Sequence, residues 1–215
     1  MLLELIRLNS VDEKKTFTIL NLYLICFLIG EIFLSAFYSY NFIVVSQENI
    51  NMKNKIVLAG GCFWGMEELF RKYPGVLETE VGYAGGDEKF ALYEFVKTGN
   101  TGHAEAIRVV YDSSITSLEQ ILKYFFKIHD PTTLNRQGND IGTQYRSAIF
   151  YSSEDEKILA KNVIDSIDSK KLLKGNIKTS LEPLTTFTPA EEYHQDYLQK
   201  NPRGYTCHFE RDVDF

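Results

Sequence analysis

Short apolar segments of strand length alternate with longer segments of helical periodicity from Lys53 onward. The strand-like segments read KIVLAG, GVLETEVGY, AEAIRVVY and QYRSAIFY. Between them, CFWGMEELFRKY, SLEQILKYFFKIH and SEDEKILAKNVIDSI carry apolar residues at the spacing of an amphipathic helix. Ser117 with Gln120, and Ser153 with Glu156, have the spacing of helix capping boxes. This alternation predicts an α+β domain, with layers of helix and sheet around one core.

The last part of the chain is less regular. Pro183 interrupts the strand-like segment IKTSLEPLTTF and confines it to a sheet edge or a bulge. In TPAEEYHQDYLQK, Thr188 as N-cap, Pro189 in the first turn and Glu191 closing a capping box predict a helix. The final segment, NPRGYTCHFERDVDF, has no periodicity. We therefore expect a two-layer mixed-sheet sandwich resembling a ferredoxin-like plait, with an irregular C-terminal tail.

The N-terminal part of the chain has a different composition. Residues 17–45 form an apolar run in which Glu31 is the only charged residue. Such a run is typical of a signal peptide or a membrane anchor, although Glu31 divides it into pieces shorter than the roughly 20 residues of a membrane span. A second interpretation is that the chain starts at Met52, where ordinary globular patterning begins.

Both interpretations predict the same domain boundary. Residues 1–51 are an N-terminal extension, and residues 52–215 are the globular domain. We expect the protein to be cytoplasmic if translation starts at Met52. Otherwise we expect it to be exported or attached to a membrane through residues 17–45.

Charge and cysteine content exclude several classes of protein. The formal net charge of −6 argues against a nucleic-acid partner, because phosphate binders usually carry a basic patch. The three cysteines are Cys26, Cys62 and Cys207, and no C-x-x-C motif is present. A disulfide framework, a zinc ribbon and a thioredoxin-type motif are therefore not expected.

The segment GGCFWG places Cys62 between a predicted strand and a predicted helix. The partial positive charge at a helix N-terminus lowers the pKa of a thiol and favours the nucleophilic thiolate. Glycines on both sides let the chain turn tightly or let a substrate approach. We interpret Cys62 as a reactive thiol, and the alternative is a cysteine that fills the core as a small apolar residue.

Glu105 stands out in the strand-like segment AEAIRVVY. It shares one face of the strand with Ile107, Val109 and Tyr111, because side chains alternate along a strand. Burial on that face would raise the pKa of the carboxyl and make it a proton donor near neutral pH. The alternative is that Glu105 lies at the start of the strand and reaches solvent.

Cys207 lies in the irregular tail, far from Cys62 along the chain. A tail can bring its thiol to a distant one, and such a pair suits thiol–disulfide exchange. The alternative is an inert tail cysteine.

Two other kinds of site can be drawn with the same cysteines. A cysteine hydrolase would pair Cys62 with His103 or His194, although the predicted helix AEEYHQDYL places His194 on the surface. A metal site built from Cys62, Cys207, His194 and His208 lacks the short ligand spacing of known sites. We therefore expect no metal.

Five segments, in order along the chain, resemble one known family. GCFWG after a short strand is similar to the active-site signature of the A-type peptide methionine sulfoxide reductases. GYAGG, TGHAEAIRVVYD, HDPTTLNRQGNDIGTQYRSAIFY and NPRGYTCHF match the same family in the same order. The resemblance covers about residues 53–209, which is nearly the whole globular part.

The resemblance implies an activity and a division of roles. The family reduces the S epimer of methionine sulfoxide, in proteins and as the free amino acid. Cys62 corresponds to the nucleophile, which becomes a sulfenic acid, Glu105 to the acid, and Cys207 to the cysteine that resolves the sulfenic acid as a disulfide. Thioredoxin or another dithiol then reduces the disulfide. No metal or organic cofactor is implied, and we expect a monomer.

The resemblance also implies a binding site for the sulfoxide. Tyr93, Asp140 and Tyr145 correspond to polar groups around the sulfoxide oxygen, and Phe63 and Trp64 to the wall that receives the S-methyl group. The segment DEKFALYEFV departs from the family, whose members commonly have Asn-Pro before Thr-Tyr or Ser-Tyr. No cysteine follows the one in NPRGYTCHF, so a single resolving step is implied.

Overall fold

The computed structural model describes residues 52–215. The expectations for the N-terminal extension, including a signal or anchor in the apolar run 17–45, lie outside the described residues. None of the helices formed by residues 52–215 combines the length and the hydropathy needed to cross a membrane.

The domain is built from short strands and five α-helices. The strands are β1 (Lys53–Gly60), β2 (Val76–Ala84), β3 (Ala104–Asp112), β4 (Arg136–Gln137), β5 (Asp140–Ile141), β6 (Ser147–Tyr151), β7 (Ser180–Pro183) and β8 (Phe187–Pro189). The helices are α1 (Phe63–Phe70), α2 (Tyr93–Val96), α3 (Leu118–Ile128), α4 (Glu154–Lys170) and α5 (Tyr197–Lys200).

Six strands form one mixed sheet in the order β7-β6-β1-β3-β2-β8. β6 and β7 are parallel, and the other neighbouring strands are antiparallel. The four central strands and helices α1 and α3 follow each other along the chain as β-α-β-β-α-β, which is the succession of the ferredoxin-like plait. The α+β prediction is confirmed, and β7 and β8 extend the plait at its two edges.

Helices α1, α3 and α4 cover one face of this sheet. The core on this face contains Ile56, Leu58, Phe70, Ile107, Val109, Ile121, Phe125, Phe126 and Ile149. The opposite face is lined mainly by small residues, among them Ala59, Ala84, Ala104, Ala106 and Ala148, and is covered by Leu184 and Phe187. Burying a large apolar side chain contributes about 1.5–3 kcal/mol, so the helix-covered face carries most of the stability.

The predicted helix starts are observed at α3 and α4. Ser117 Oγ accepts a hydrogen bond from the Gln120 N–H at 3.2 Å, and the Ser117 N–H donates to the Gln120 side chain at 2.9 Å. At α4, Ser153 Oγ accepts from the Glu156 N–H at 3.2 Å. Each cap satisfies a backbone donor that has no partner inside its helix.

The prediction of a helix over TPAEEYHQDYLQK is wrong for most of its length. Thr188 and Pro189 belong to β8, which pairs with β2, and the helix is limited to Tyr197–Lys200. Glu191 does not cap the predicted helix: its carboxylate accepts hydrogen bonds from the Tyr93 N–H at the start of α2, at 2.9 Å, and from the Tyr83 hydroxyl at 2.7 Å. Pairing with the sheet outweighs local capping signals, because propensity is a weak preference compared with tertiary contacts.

The other expectations for the end of the chain are confirmed. Pro183 ends β7, which is an edge strand of the sheet, and an edge strand tolerates a residue that lacks an N–H donor. Residues 201–215 contain no helix or strand.

Candidate active site

The candidate site begins where β1 passes into α1. Gly61 has φ +104, a conformation that favours glycine, and it turns the chain between the strand and the helix. Cys62 is the N-cap residue of α1, and its side chain is only 6% exposed. The predicted junction is therefore observed, with the thiol at the start of an eight-residue helix.

The expectation of a lowered thiol pKa at Cys62 is wrong. Burial raises the pKa of the thiol well above its ordinary value, and the Glu105 charge raises it further, whereas the backbone N–H of Trp64, which is bonded to the sulfur, lowers it. Desolvation of the charged form thus outweighs the favourable helix terminus. In this structure Cys62 is a thiol at neutral pH and not a thiolate.

Glu105 lies beside this thiol on β3. The register places it opposite Tyr83 of β2, and the residue is 3% exposed. The Phe63 N–H at the start of α1 donates to Glu105 Oε2 at 3.2 Å. Burial raises the pKa of the carboxyl to about 8, although the Phe63 N–H lowers it. The predicted burial and raised pKa of Glu105 are confirmed, so the group is a carboxylic acid at neutral pH.

Two tyrosine hydroxyls belong to the same cluster. Burial raises the pKa of Tyr93, and the charges of Glu105 and Cys62 add to this effect. Burial also raises the pKa of Tyr145, with further contributions from Glu105 and Asp140. Both side chains therefore keep their protons at neutral pH and can donate hydrogen bonds.

The C-terminal tail brings the second thiol to the site. The Cys207 thiol donates to Asp140 Oδ2 at 3.2 Å, and the Tyr205 hydroxyl donates to the same oxygen at 3.1 Å. Burial and the bond to Asp140 raise the pKa of Cys207 to about 12, whereas the backbone N–H of Cys62, which is bonded to the Cys207 sulfur, lowers it. The tail therefore places Cys207 against Cys62.

Glycines in GGCFWG make room for this tail. A β-carbon at Gly65 would lie 2.6 Å from His208 Nδ1 and even closer to Thr206, and one at Gly61 would collide with Gln137. His208 in turn is bonded through Nε2 to the Gly60 carbonyl at 2.8 Å. Gly65 thus serves the approach of the chain's own C-terminal segment.

Trp64 forms an aromatic wall with the first residue of α5 and with the turn that precedes this helix. Its indole stacks on Tyr197 with centroids 3.7 Å apart, and its N–H donates to His194 Nδ1 at 3.1 Å. Phe63 is 1% exposed and packs in the core with Val81, so Trp64 is the more accessible of the two predicted wall residues.

The prediction of a surface His194 is wrong. Its side chain is 1% exposed and lies among aromatic rings. The error follows from the wrongly predicted helix, because His194 lies in a turn that folds onto α1. Glu191 was predicted only as a helix cap, and His208 was considered only as a metal ligand, so the sequence did not place either in this site. A signal was present in the aromatic residues of AEEYHQDY, which are frequent in walls of binding sites.

No Cys62–histidine pair supports the hydrolase alternative in the part of the chain that the structure describes. His103 is bonded to Thr101 at 2.9 Å, and His194 to Trp64. His208 is hydrogen-bonded to Cys207, at 3.5 Å, and not to Cys62. Within residues 52–215, no three potential ligands form a metal-binding group.

Comparisons with known proteins agree with this geometry. The family described as peptide methionine sulfoxide reductase matches residues 54–214. Peptide methionine sulfoxide reductase MsrA of Pseudomonas fluorescens is 52% identical over 158 residues, which are 74% of this chain and 74% of that protein.

Two solved structures of Mxr1 from Saccharomyces cerevisiae have a similar fold. The reduced form has a TM-score of 0.71 and 42% identity, covering 75% of this chain and 94% of the other. Mxr1 in complex with Trx2 has a TM-score of 0.51 and 28% identity, covering 75% of this chain and 92% of the other.

The fold and the paired thiols define an oxidoreductase that acts on sulfur. The comparisons narrow this class: the chain belongs to the peptide methionine sulfoxide reductase family, and it reduces methionine sulfoxide to methionine.

Proposed function

We propose that the chain reduces the S epimer of methionine sulfoxide, in oxidised proteins and as the free amino acid, through a sulfenic acid on Cys62. The observation that carries this proposal is the placement of a carboxylic acid, Glu105, beside the Cys62 thiol. The Phe63 N–H fixes that acid at 3.2 Å, at the start of the helix that Cys62 caps.

In the first step, oxygen moves from the substrate sulfur to Cys62. Glu105 donates its proton to the sulfoxide oxygen while the Cys62 sulfur attacks the substrate sulfur, and the proton of the Cys62 thiol returns to Glu105. The attack forms a transient S–S bond, and the hydroxyl then passes from the substrate sulfur to the Cys62 sulfur. The S–O bond of the substrate and the transient S–S bond break as an S–O bond forms on Cys62, so the products are methionine and a Cys62 sulfenic acid. The raised pKa of Glu105 suits this exchange, because the carboxyl carries its proton at neutral pH and can donate it to the oxygen.

The remaining groups of the site orient the sulfoxide. The Tyr93 and Tyr145 hydroxyls donate to its oxygen, and Asp140 completes the polar side of the site. Trp64 offers an accessible aromatic face to the S-methyl group, and the buried Phe63 supports that face from the core. Orientation of this kind holds the reacting atoms in attacking geometry.

In the second step, Cys207 resolves the sulfenic acid. Asp140 accepts the proton of the Cys207 thiol, which it already binds at 3.2 Å, and the Cys207 sulfur attacks the Cys62 sulfur. The hydroxyl of the sulfenic acid takes a proton from Glu105 and leaves as water, and a Cys62–Cys207 disulfide remains.

A dithiol reduces this disulfide and is itself oxidised to a disulfide. Thioredoxin is the proposed reductant, because a complex with Trx2 is known for the similar Mxr1. The cycle balances with thiols, a sulfoxide and a dithiol alone, so we propose no metal or organic cofactor.

Residues 52–215 are proposed to form the catalytic domain, and the protein is proposed to be a monomer. The family match over residues 54–214 supports this boundary, since it spans nearly all of that range. The extension 1–51 is proposed to be either a signal or membrane anchor, or a segment upstream of a translation start at Met52.

The proposal is tested with separated epimers. The reduced full-length chain, thioredoxin and a system that reduces thioredoxin are incubated with the S or the R epimer, and methionine is quantified. We expect methionine from the S epimer only, and product from the R epimer at a similar rate would contradict the proposed stereochemistry.

A further inference from the structure

The aromatic wall of the candidate site contains one polar bond that the proposed chemistry does not use. Trp64, the single tryptophan of the chain, donates its indole N–H to His194 Nδ1 at 3.1 Å. An aromatic nitrogen can accept this bond only through its lone pair. His194 Nδ1 is therefore unprotonated, and the neutral ring carries its proton on Nε2.

Packing alone does not account for a histidine at this position. The imidazole is surrounded by rings, with centroid distances of 4.2 Å to Tyr193, 4.5 Å to Tyr93 and 5.1 Å to Phe63. Its Nε2 is buried and has no hydrogen-bond partner among residues 52–215. A buried polar group without a partner lowers stability, so a phenylalanine would suit these surroundings better unless Nδ1 has a function.

The turn that carries His194 is tied to the helix that carries Trp64. Glu67 Oε2 on α1 accepts a hydrogen bond from the Asp196 N–H at 2.9 Å, and Arg71 binds the Asp196 carboxylate at 3.0 Å. Asp196 has φ +53, a left-handed conformation that is unusual for a residue other than glycine. These contacts hold His194 and the stacked Tyr197 in place relative to α1.

We infer that His194 is a positioning residue, which fixes the orientation of the Trp64 indole and thereby the seat of the substrate methyl group. Stacking on Tyr197 sets the plane of the indole but leaves it free to shift within that plane. The bond from the indole nitrogen to His194 removes this freedom. The inference rests on the proposed role of Trp64, and His194 itself need not touch the substrate.

Nuclear magnetic resonance tests the bond directly in the unchanged, reduced protein. Because the chain has one tryptophan, a ¹⁵N-labelled sample gives one indole N–H signal. Long-range ¹H–¹⁵N spectra report which nitrogen of His194 carries the proton. We expect the proton on Nε2 and slow exchange of the indole hydrogen. A proton on Nδ1 would overturn the inference, because Nδ1 could then not accept the bond.

Two substitutions test the consequence for the reaction. His194→Phe keeps an aromatic ring but removes the acceptor, whereas His194→Asn keeps an acceptor near the position of Nδ1. We expect His194→Phe to lower kcat/KM for a methionine S-sulfoxide peptide about three- to ten-fold, mainly by raising KM, which is the range of one lost hydrogen bond. His194→Asn should stay within about two-fold of the parent and keep the slow indole exchange.

A Trp64→Phe variant separates failure of this inference from failure of the proposed wall. If Trp64→Phe lowers kcat/KM and His194→Phe does not, the wall stands and the positioning role of His194 is overturned. Unchanged kcat/KM in Trp64→Phe would remove the proposed role of Trp64 and the inference with it. Equal impairment of His194→Phe and His194→Asn would also overturn the inference, because retaining the acceptor would then have no effect.

Discussion

The candidate site joins a regular part of the fold to an irregular one. The β1–α1 junction supplies Cys62 and β3 supplies Glu105, and both residues are deeply buried. The turn before α5 and the C-terminal tail supply His194 and Cys207, and these segments contain little regular secondary structure. The difference indicates a division of labour between the two parts. The regular part performs oxygen transfer, which needs a fixed geometry. The irregular part positions the Trp64 indole and resolves the sulfenic acid on Cys62.

The largest expected effect concerns the regular part. Cys62→Ser should abolish the formation of methionine from methionine S-sulfoxide, because a hydroxyl cannot replace the sulfur as acceptor of the oxygen. Methionine is measured after incubation with excess dithiol, and Cys26→Ser serves as a control with full activity. Retained turnover in Cys62→Ser would break the assignment of the nucleophile.

Loss of the Cys207 thiol should separate oxygen transfer to Cys62 from resolution of the sulfenic acid. Cys207→Ser is expected to form about one methionine per enzyme when thioredoxin is the only reductant, and then to stop, because the sulfenic acid on Cys62 has no resolving partner. Dimedone should label Cys62 in the stalled enzyme. Continued thioredoxin-dependent cycling would show that the tail is not required for resolution.

Glu105→Gln removes the acid from the regular part while keeping the side-chain shape. We expect the single-turnover rate of methionine formation to fall about 10²- to 10⁴-fold, the usual contribution of general acid catalysis. In the parent protein, the protonated acid is present below its pKa of about 8, so kcat/KM should fall as the pH rises above that value. An unchanged rate in Glu105→Gln would place the acid elsewhere.

Gly65→Ala tests the contact between the two parts. The added methyl would displace Thr206 and His208 and with them the neighbouring Cys207. We expect formation of the Cys62–Cys207 disulfide to slow roughly ten- to hundred-fold, since small misplacements have effects of this size, while the first step is less affected. Gly175→Ala is the control, because its methyl would meet Thr132 at an ordinary 3.6 Å. Equal rates of disulfide formation in the two variants would mean that the tail does not need this close approach.

The smallest expected effect is on the free energy of unfolding, and it concerns the contact between α1 and the turn that carries His194. Burial raises the pKa of Glu67 to about 7, so the folded state binds this proton more tightly than the unfolded state does. The stabilisation that comes from protonated Glu67 is therefore fully present below the pKa of this group in the unfolded chain, and it is lost as the pH rises through about 7.

Glu67→Gln should remove the loss of stability at high pH, because an amide does not titrate. At pH 8 we expect the variant to be more stable than the parent by roughly 2 kcal/mol, or about 4–8 °C in Tm, and the difference should vanish near pH 4. Thermal unfolding between pH 4 and 8 measures it, with the exposed Glu119→Gln on α3 as control. A pH-independent difference would show that Glu67 does not titrate in this way.

The sequence was sufficient to predict the regular part because local patterns decide it. Alternation along AEAIRVVY placed Glu105 on the buried face, and the glycines around Cys62 marked a strand-to-helix junction. Side chains of a strand alternate whatever the rest of the chain does, so such predictions need no knowledge of tertiary contacts.

The irregular part could not be predicted in the same way. Thr188 and Glu191 have the residue types of a helix start, yet pairing of β8 with β2 decides their structure. The pKa of Cys62 was mispredicted for a related reason. A helix terminus is visible in the sequence, but the burial that outweighs it depends on tertiary packing, and the charges of Glu105 and Cys207, which are distant in the chain, raise the pKa further.

The division of labour is tested most directly by rapid-quench analysis of the reduced parent protein, mixed with methionine S-sulfoxide in the absence of any reductant. Methionine and the Cys62–Cys207 disulfide are quantified over time by mass spectrometry. We predict about one methionine and one disulfide per enzyme, with methionine appearing first, because oxygen transfer precedes resolution. Formation of methionine with the Cys207 thiol still free at the end of the reaction would contradict the account.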